Sequence, residues 1–118
     1  WRMNLDGGLV PIAGDLIVSD TSSIVGGVLL TREREETIDV LGLFGDLGMR
    51  IIDVSPEESV FSQACNCLCV GERKVLYYDL CRRVRFLLLD HGIEVWTIPG
   101  SELVKGRGGP RCMSRPIY

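Results

Sequence analysis

Apolar segments of strand length alternate with helical patterns along this chain, and their order limits the folds that it can adopt. In the second half the predicted elements run strand, strand, helix and strand, at residues 65–70, 74–78, 80–90 and 93–98. In the first half they follow a similar order, at residues 3–12, 15–19, 33–47 and 49–54. Such alternation is typical of the α/β class. The shared order predicts two structurally similar halves.

The helix of the first half is predicted from apolar residues at helical spacing. They recur at every third position from Ile38 to Leu47. Thr31 is the predicted cap at its start, and Gly48 is the predicted stop at its end. The helix of the second half ends at His91, the one histidine of the chain. Because an imidazole interacts favourably with a helix C-terminus, we expect a structural role for His91.

Length and charge exclude several classes of partner. The 118 residues fit one domain, and we expect residues 1–118 to form it. A net charge of −3 removes the global electrostatic case for binding nucleic acid. No apolar run approaches the roughly 20 residues that a membrane-spanning helix needs. The expected partners therefore include neither nucleic acid nor a membrane.

The five cysteines are Cys65, Cys67, Cys69, Cys81 and Cys112. An odd number in a chain of this size argues against a disulfide framework. The first three alternate, as on one face of a strand. A zinc site would require wider ligand spacing and further ligands, so we expect no metal and no cofactor. The pattern favours small buried thiols in a reduced, cytoplasmic protein.

The segment 105–116 is rich in glycine and arginine and contains Cys112. Glycines allow a close approach of the backbone to a ligand and positive φ angles. Arg111 and Arg115 favour the thiolate, which is the nucleophilic form of a cysteine. Cys112 is therefore a candidate nucleophile. The alternative is an inert buried cysteine.

From Asn66 onward the chain resembles the C-terminal part of arginine deiminases. The matching segments follow the family's order, at 67–70, 74–79, 92–95, 101–103 and 106–114, and the last is the most specific. The resemblance implies a pentein-type fold, a five-bladed α/β propeller of ββαβ modules around a central active site. This chain would supply about the last two modules. We therefore expect it to be part of a longer protein whose remaining modules complete the ring, or to assemble as a homo-oligomer.

The resemblance also implies a reaction and two site residues. Arginine deiminases hydrolyse a C–N bond of arginine through thiolate attack on the guanidinium carbon, and release ammonia and citrulline. Cys112 matches the family's nucleophile, and Arg107 matches an arginine near the carboxylate end of the substrate. Such a site requires carboxylates that bind the planar cation and a group that transfers protons.

The triplet Asn4-Leu5-Asp6 stands where the family has histidine, a hydrophobic residue and aspartate. In a strand, residues 4 and 6 point to the same face. Asp6 can bind a guanidinium, but Asn4, in the proton-shuttle position, does not titrate. Three explanations are open here: an impaired or altered enzyme, a histidine removed to trap an intermediate, or a different alignment.

Two other functions compete with the hydrolase. One is a binding module that senses arginine or a related guanidine without turnover, which Asn4 favours. The other is an interaction domain whose exposed strand edges pair in a larger assembly. Methylated arginine and agmatine also remain alternatives to arginine as the small-molecule ligand. The hydrolase requires Asn4, Asp6 and Cys112 to converge on one cleft.

Overall fold

Two ββαβ units follow one another in this protein, whose structure is a computed structural model that describes residues 4–115 and 117. The first unit contains β1 (Leu9–Ala13), β2 (Leu16–Ser19), α1 (Val40–Asp46) and β5 (Arg50–Asp53), with a separate hairpin of β3 (Gly27–Leu30) and β4 (Glu35–Ile38) between β2 and α1. The second contains β6 (Leu68–Gly71), β7 (Lys74–Tyr78), α3 (Arg82–Asp90) and β8 (Glu94–Ile98), and the short helix α2 (Pro56–Phe61) precedes it. Short 3-10 helices occur at Leu5–Gly7, Thr21–Ser23 and Leu103–Gly106.

The two main sheets have the same topology. In the first, β2 pairs antiparallel with β1 and parallel with β5. In the second, β7 pairs antiparallel with β6 and parallel with β8. Each unit therefore builds a three-stranded sheet whose last strand returns after a helix. The predicted α/β class and the predicted similarity of the two halves are confirmed.

The long helix predicted for residues 33–47 is wrong in its first half. Residues 35–38 form β4, which pairs antiparallel with β3, and α1 begins only at Val40. Thr31 bonds to both backbone groups of Arg34 in the turn of this hairpin, so it is not a helix cap. Asp39 is the actual cap, since its side chain accepts from the Leu41 N–H. Tertiary pairing with β3 overrides the helical spacing in this segment.

Two predicted strands begin later than expected. The strand predicted from residue 3 starts at Leu9, because residues 5–7 form a 3-10 turn closed by the Gly7 and Gly8 amides. Residue 3 itself lies outside the described residues. The strand predicted from Cys65 starts at Leu68, after a turn in which the Asn66 amide donates to the Gln63 carbonyl. Asn4 and Asp6 therefore do not share a strand face.

Both helix ends that were predicted from glycine and histidine are confirmed. Gly48 and Gly92 follow α1 and α3 with φ angles of +72° and +71°, a conformation that suits glycine. His91 Nδ1 lies 2.8 Å from the Leu87 carbonyl oxygen at the end of α3. None of the helices in the part of the chain that the structure covers is long and apolar enough to cross a bilayer.

One hydrophobic cluster joins the two sheets. Its buried members include Val10, Leu16, Val18, Ile52, Tyr77, Val84, Leu88 and Ile93. Burying a side chain of this size stabilises a fold by about 1.5–3 kcal/mol. At the surface, Asp15 pairs with Arg50 of β5 and with Arg73 of the β6–β7 turn. Because these ion pairs are partly exposed, they contribute little beside the apolar core.

Replacing Leu88 by alanine tests the contribution of this cluster. Leu88 is fully buried on α3, whereas the neighbouring Leu89 is 45% exposed on the same helix. We expect Leu88→Ala to lower the free energy of unfolding by about 2–5 kcal/mol. Leu89→Ala is the matched control and should cost less than about 1 kcal/mol. Equal losses in urea denaturation of the two variants would contradict the observed packing of α3.

Candidate active site

Cys112 lies in a loop that is held by the side chain of Asn66. The Asn66 Oδ1 atom accepts from the backbone N–H groups of Gly109 and Cys112, at 3.1 and 3.0 Å. The Asn66 Nδ2 atom donates to the Cys112 Sγ atom at 3.0 Å. The Asn66 carbonyl also accepts from the Arg111 amide. A buried amide, only 2% exposed, thus fixes the loop and touches the sulfur of an exposed cysteine.

The glycines before Cys112 allow this close approach. A Cβ atom on Gly109 would lie 2.2 Å from the Asn66 carbonyl oxygen, far inside a van der Waals contact. The preceding Gly108 carbonyl accepts from the Tyr78 hydroxyl at 2.9 Å. Tyr78 is itself packed against a glycine, since a Cβ atom on Gly100 would lie 2.4 Å from the Tyr78 ring. The glycine at position 109 thus allows a close approach of the backbone to the protein's own Asn66, whereas the predicted approach to a ligand stays a prediction.

Asp6 lies beside the same loop. Its carbonyl accepts from Asn66 Nδ2 at 3.2 Å, and its Oδ2 atom accepts from Arg111 Nε at 3.0 Å. The Oδ1 atom of Asp6 is buried and has no hydrogen-bond partner among the residues for which the structure gives a position. Asp6 therefore already binds one guanidinium, that of Arg111, and keeps one acceptor unused.

A cleft of about 390 Å³ opens at this place. Its lining residues are Asn4, Leu5, Asp6, Leu9, Val10, Pro11 and Arg111. The structure thus brings Asn4 and Asp6 to one cleft. Cys112 does not line it but follows Arg111 directly, and Asn66 Nδ2 contacts both the Cys112 sulfur and the Asp6 backbone. Asp6 and Cys112 are thus joined through Asn66, but the convergence of Asn4, Asp6 and Cys112 on one cleft, which the hydrolase requires, is not observed among the described residues.

Two of the predicted site residues make few contacts. Arg107 is exposed in a left-handed conformation, with φ +61°, and does not line the cleft. Its side chain forms no hydrogen bond or ion pair within the described part of the chain. Asn4 is exposed, and its side chain does not cap the 3-10 turn that it precedes. The roles assigned to Arg107 and Asn4 stay predictions.

Asn66 received no functional role from the sequence, although the resemblance began there. The signal that could have found it is a carboxamide in an apolar run, between Cys65 and Cys67. A buried polar side chain must find hydrogen-bond partners, so such a residue marks a network. Its partners lie at residues 6, 109 and 112, and sequence proximity does not reveal them.

The other cysteines differ in burial. Cys65, Cys67 and Cys81 are buried as predicted, but Cys69 is exposed and does not fit that prediction. Burial raises the pKa of Cys67 well above its usual value and raises that of Cys81 to about 12. A hydrogen bond with Cys67 and the charge of Arg111 lower the pKa of Cys69 to about 7.

Residues 4–115 contain no group of three histidine, cysteine or acidic side chains placed to hold a metal.

These pKa values predict a selective pattern of alkylation. Thiolate forms above the pKa, so the reaction of Cys69 with iodoacetamide should rise through about pH 7. Cys81 is the internal control, because its pKa of about 12 keeps it neutral and slow below about pH 10. Peptide mapping by mass spectrometry follows each cysteine separately. Equal pH profiles for Cys69 and Cys81 would contradict the assigned environments.

A family model and two similar proteins identify the same family for this chain. The family model described as arginine deiminase matches residues 30–118. The chain is 43% identical over 90 residues to arginine deiminase of Staphylococcus epidermidis, covering 75% of this chain and 21% of that protein. It is 33% identical over 104 residues to arginine deiminase of Borrelia recurrentis, covering 83% of this chain and 25% of that protein. The chain thus spans a quarter or less of the length of these relatives.

The fold has a known counterpart. A crystal structure of dimethylarginine dimethylaminohydrolase, as an adduct with 4-chloro-2-hydroxymethylpyridine, superposes with a TM-score of 0.64 and 24% identity. The match covers 95% of this chain and 37% of that one, which shows the pentein-type fold. Residues 4–6 precede the range of the family model, so the model does not align them. By its match over residues 30–118, this chain belongs to the arginine deiminase family.

Proposed function

We propose that this chain carries the nucleophilic part of a hydrolase that acts on the guanidinium of arginine and yields citrulline and ammonia. The observation that carries the proposal is the contact at the Cys112 sulfur, which lies 3.0 Å from Asn66 Nδ2 next to Asp6. The family match supports a guanidine-modifying hydrolase. The specific mechanism is the one that the family resemblance implies, applied here to Cys112 and Asp6.

In this mechanism the Cys112 thiolate attacks the guanidinium carbon. A bond forms between Sγ and carbon, the C–N bond breaks, and the nitrogen leaves as ammonia after it takes up a proton. Water then adds to the carbon and the C–S bond breaks, which releases citrulline and regenerates Cys112. Each stage moves a proton, and a positioned acid–base group typically contributes about 10²–10⁴ in rate.

Asp6 is the proposed ligand of the substrate guanidinium. Its Oδ1 atom is buried and unused within the described residues, and a carboxylate oxygen is a strong acceptor for guanidinium N–H groups. Arg111 occupies Oδ2 with the same chemical group that the substrate would present. The substrate can therefore share the carboxylate with Arg111 or displace it. Arg107, exposed on the same loop, would bind the carboxylate end of the substrate.

A guanidine-binding module without turnover is the second candidate function, and Asn4 favours it. The amide lines the cleft with Asp6 but cannot accept and release a proton in the relevant pH range. Binding through Asp6 would persist, whereas the steps that need proton transfer would be slow. The two candidates therefore share a ligand and differ in product.

We further propose that the chain functions together with other modules, from a longer parent chain or from other copies. Several large apolar side chains are more than half exposed, namely Val28, Leu30, Phe61, Phe86 and Trp96. Extensive apolar exposure is typical of a surface that another protein segment covers. The chain spans only a quarter or less of the length of its relatives, which is consistent with this.

We also propose a cytoplasmic location, which the five free thiols favour.

Incubation of the intact protein with arginine tests the proposed chemistry. We expect citrulline and ammonia, and a mass adduct on Cys112 equal to arginine minus ammonia in rapidly quenched samples. Cys112→Ala should abolish both product and adduct, because it removes the proposed nucleophile. Cys81→Ala is the matched control, because that thiol is buried away from the cleft. Methylated arginine and agmatine, tested in parallel, define the substrate.

The outcomes separate the two candidate functions. An adduct that accumulates without citrulline indicates that Asn4 has slowed hydrolysis, and Asn4→His should then raise turnover by about 10²–10⁴. Arginine binding by calorimetry without an adduct supports the binding module. An unreactive Cys112, together with no gain of turnover in Asn4→His, would contradict the hydrolase.

A further inference from the structure

We propose that Asn66 is a positioning residue that stabilises the thiolate of Cys112 by donating a hydrogen bond from Nδ2 to Sγ. This inference rests on the proposed role of Cys112 as the nucleophile. It gives Asn66 a function beyond holding the loop, since it predicts an effect on the charge state of the sulfur as well as on its position.

The orientation of the Asn66 side chain follows from its partners. The Gly109 and Cys112 backbone N–H groups can only donate, so the atom that faces them is the carbonyl oxygen Oδ1. The Asp6 carbonyl can only accept, so the atom that faces it is the amide nitrogen Nδ2. The second hydrogen of Nδ2 is therefore available to Cys112 Sγ, at 3.0 Å.

All four hydrogen-bonding positions of this carboxamide are used. Oδ1 accepts twice and Nδ2 donates twice, so a rotation of the amide by 180° would place donors against donors and acceptors against acceptors. The donor to the sulfur is thus held by three contacts with the backbone. A donor fixed in this way costs no reorganisation when the sulfur becomes charged.

Burial increases the value of this donor. Asn66 is 2% exposed, so water does not compete for its N–H groups. A hydrogen bond to an ionised group is worth more than one to a neutral group, and it favours the charged form. The interaction with Sγ is therefore stronger for the thiolate than for the thiol, which acts in the direction that nucleophilic attack requires.

The donor function is separable from the structural function. The Tyr78 hydroxyl donates to the Gly108 carbonyl, so the loop has a second anchor, which bonds to its backbone and not to the Cys112 sulfur. If Asn66 only held the loop, its removal would change the rate of Cys112 by the same factor at every pH. If it stabilises the thiolate, the loss depends on pH and disappears where the sulfur is fully ionised.

Alkylation of Cys112 by iodoacetamide, followed by peptide mapping from about pH 5 to pH 10, tests this difference. In Asn66→Ala we expect the rate at neutral pH to fall about tenfold or more, the midpoint of the pH profile to rise, and the rates at high pH to converge with those of the parent protein. Gln63→Ala is the matched control, since it removes a carboxamide that bonds to Val60 and not to Cys112. Its profile should equal that of the parent.

The same peptide map reports whether the variant folds. Cys81 is buried and stays unreactive in the folded protein, so its alkylation in Asn66→Ala would reveal unfolding. In that case Asn66→Ser replaces it, because its shorter, neutral side chain removes the carboxamide donor to Sγ and introduces no charge beside the sulfur. Its neutral-pH rate should fall in the same way.

An unchanged midpoint, or a loss of rate by one factor at all pH values, in a variant that keeps Cys81 protected would overturn the inference. The assay contains no arginine, so it is independent of the proposed turnover. A shifted profile, in a protein that forms no arginine adduct on Cys112 and gains no turnover in Asn4→His, keeps the role of Asn66 and rejects the hydrolase. Citrulline production with an unshifted alkylation profile keeps the hydrolase and rejects the proposed role of Asn66.

Discussion

The carboxamide of Asn66 is the interaction on which the candidate site depends. Through it, the turn before β6 is bonded to the 3-10 turn at residues 5–7 and to the loop of residues 109–112. These three segments are far apart in sequence and all meet at this buried group. The Asp6–Arg111 ion pair and the Tyr78–Gly108 hydrogen bond add further links, but Asn66 alone among the described residues bonds to both the amide and the sulfur of Cys112. Gly109 is a condition for the contact, since a side chain there would collide with Asn66.

The two ββαβ units provide the framework for this junction. Each buries one face of a three-stranded sheet in the shared cluster of apolar residues, so the sheet ends are fixed with respect to one another. The segments that converge on Asn66 lie outside the strands, before β1, before β6 and after β8. Loops on a rigid scaffold are common places for binding and catalytic residues. The hydrophobic core is formed by strand and helix residues and the candidate site by loop residues, so Asp6 and Cys112 are not part of the core.

Local patterns predicted the elements well and their boundaries less well. The β7–α3–β8 segment, the end of α3 at His91 and the glycine stop at residue 48 follow from periodicity and capping rules. Glu35–Ile38 was predicted as the start of a helix because the apolar spacing from Ile38 to Leu47 fits one, and only pairing with β3 makes it a strand. The 3-10 turn before β1 was missed because residues 3–12 were predicted as one continuous strand.

The sequence predicted the kind of residues that form the candidate site, but it did not predict the contacts between them. The glycine and arginine pattern around Cys112, with the family resemblance, indicated a thiol placed for a guanidinium. The pairing of Asp6 with Arg111 and the role of Asn66 depend on contacts between residues 43 to 105 positions apart. Such contacts are set by the packing of the two units, which no local pattern encodes. Arg107, matched by resemblance alone, lies outside the cleft.

The most direct test of this account is NMR of the Asn66 side-chain amide as a function of pH. If Nδ2 donates to the Cys112 sulfur, the Nδ2 proton resonances should be protected from exchange with water and should shift as Cys112 ionises. The shift should vanish in Cys112→Ala. Two results would contradict the central claim that Asn66 holds Cys112 in place and stabilises its thiolate. One is side-chain amide protons of Asn66 that exchange with water as fast as those of Gln63, and the other is a pH-dependent shift that persists in Cys112→Ala.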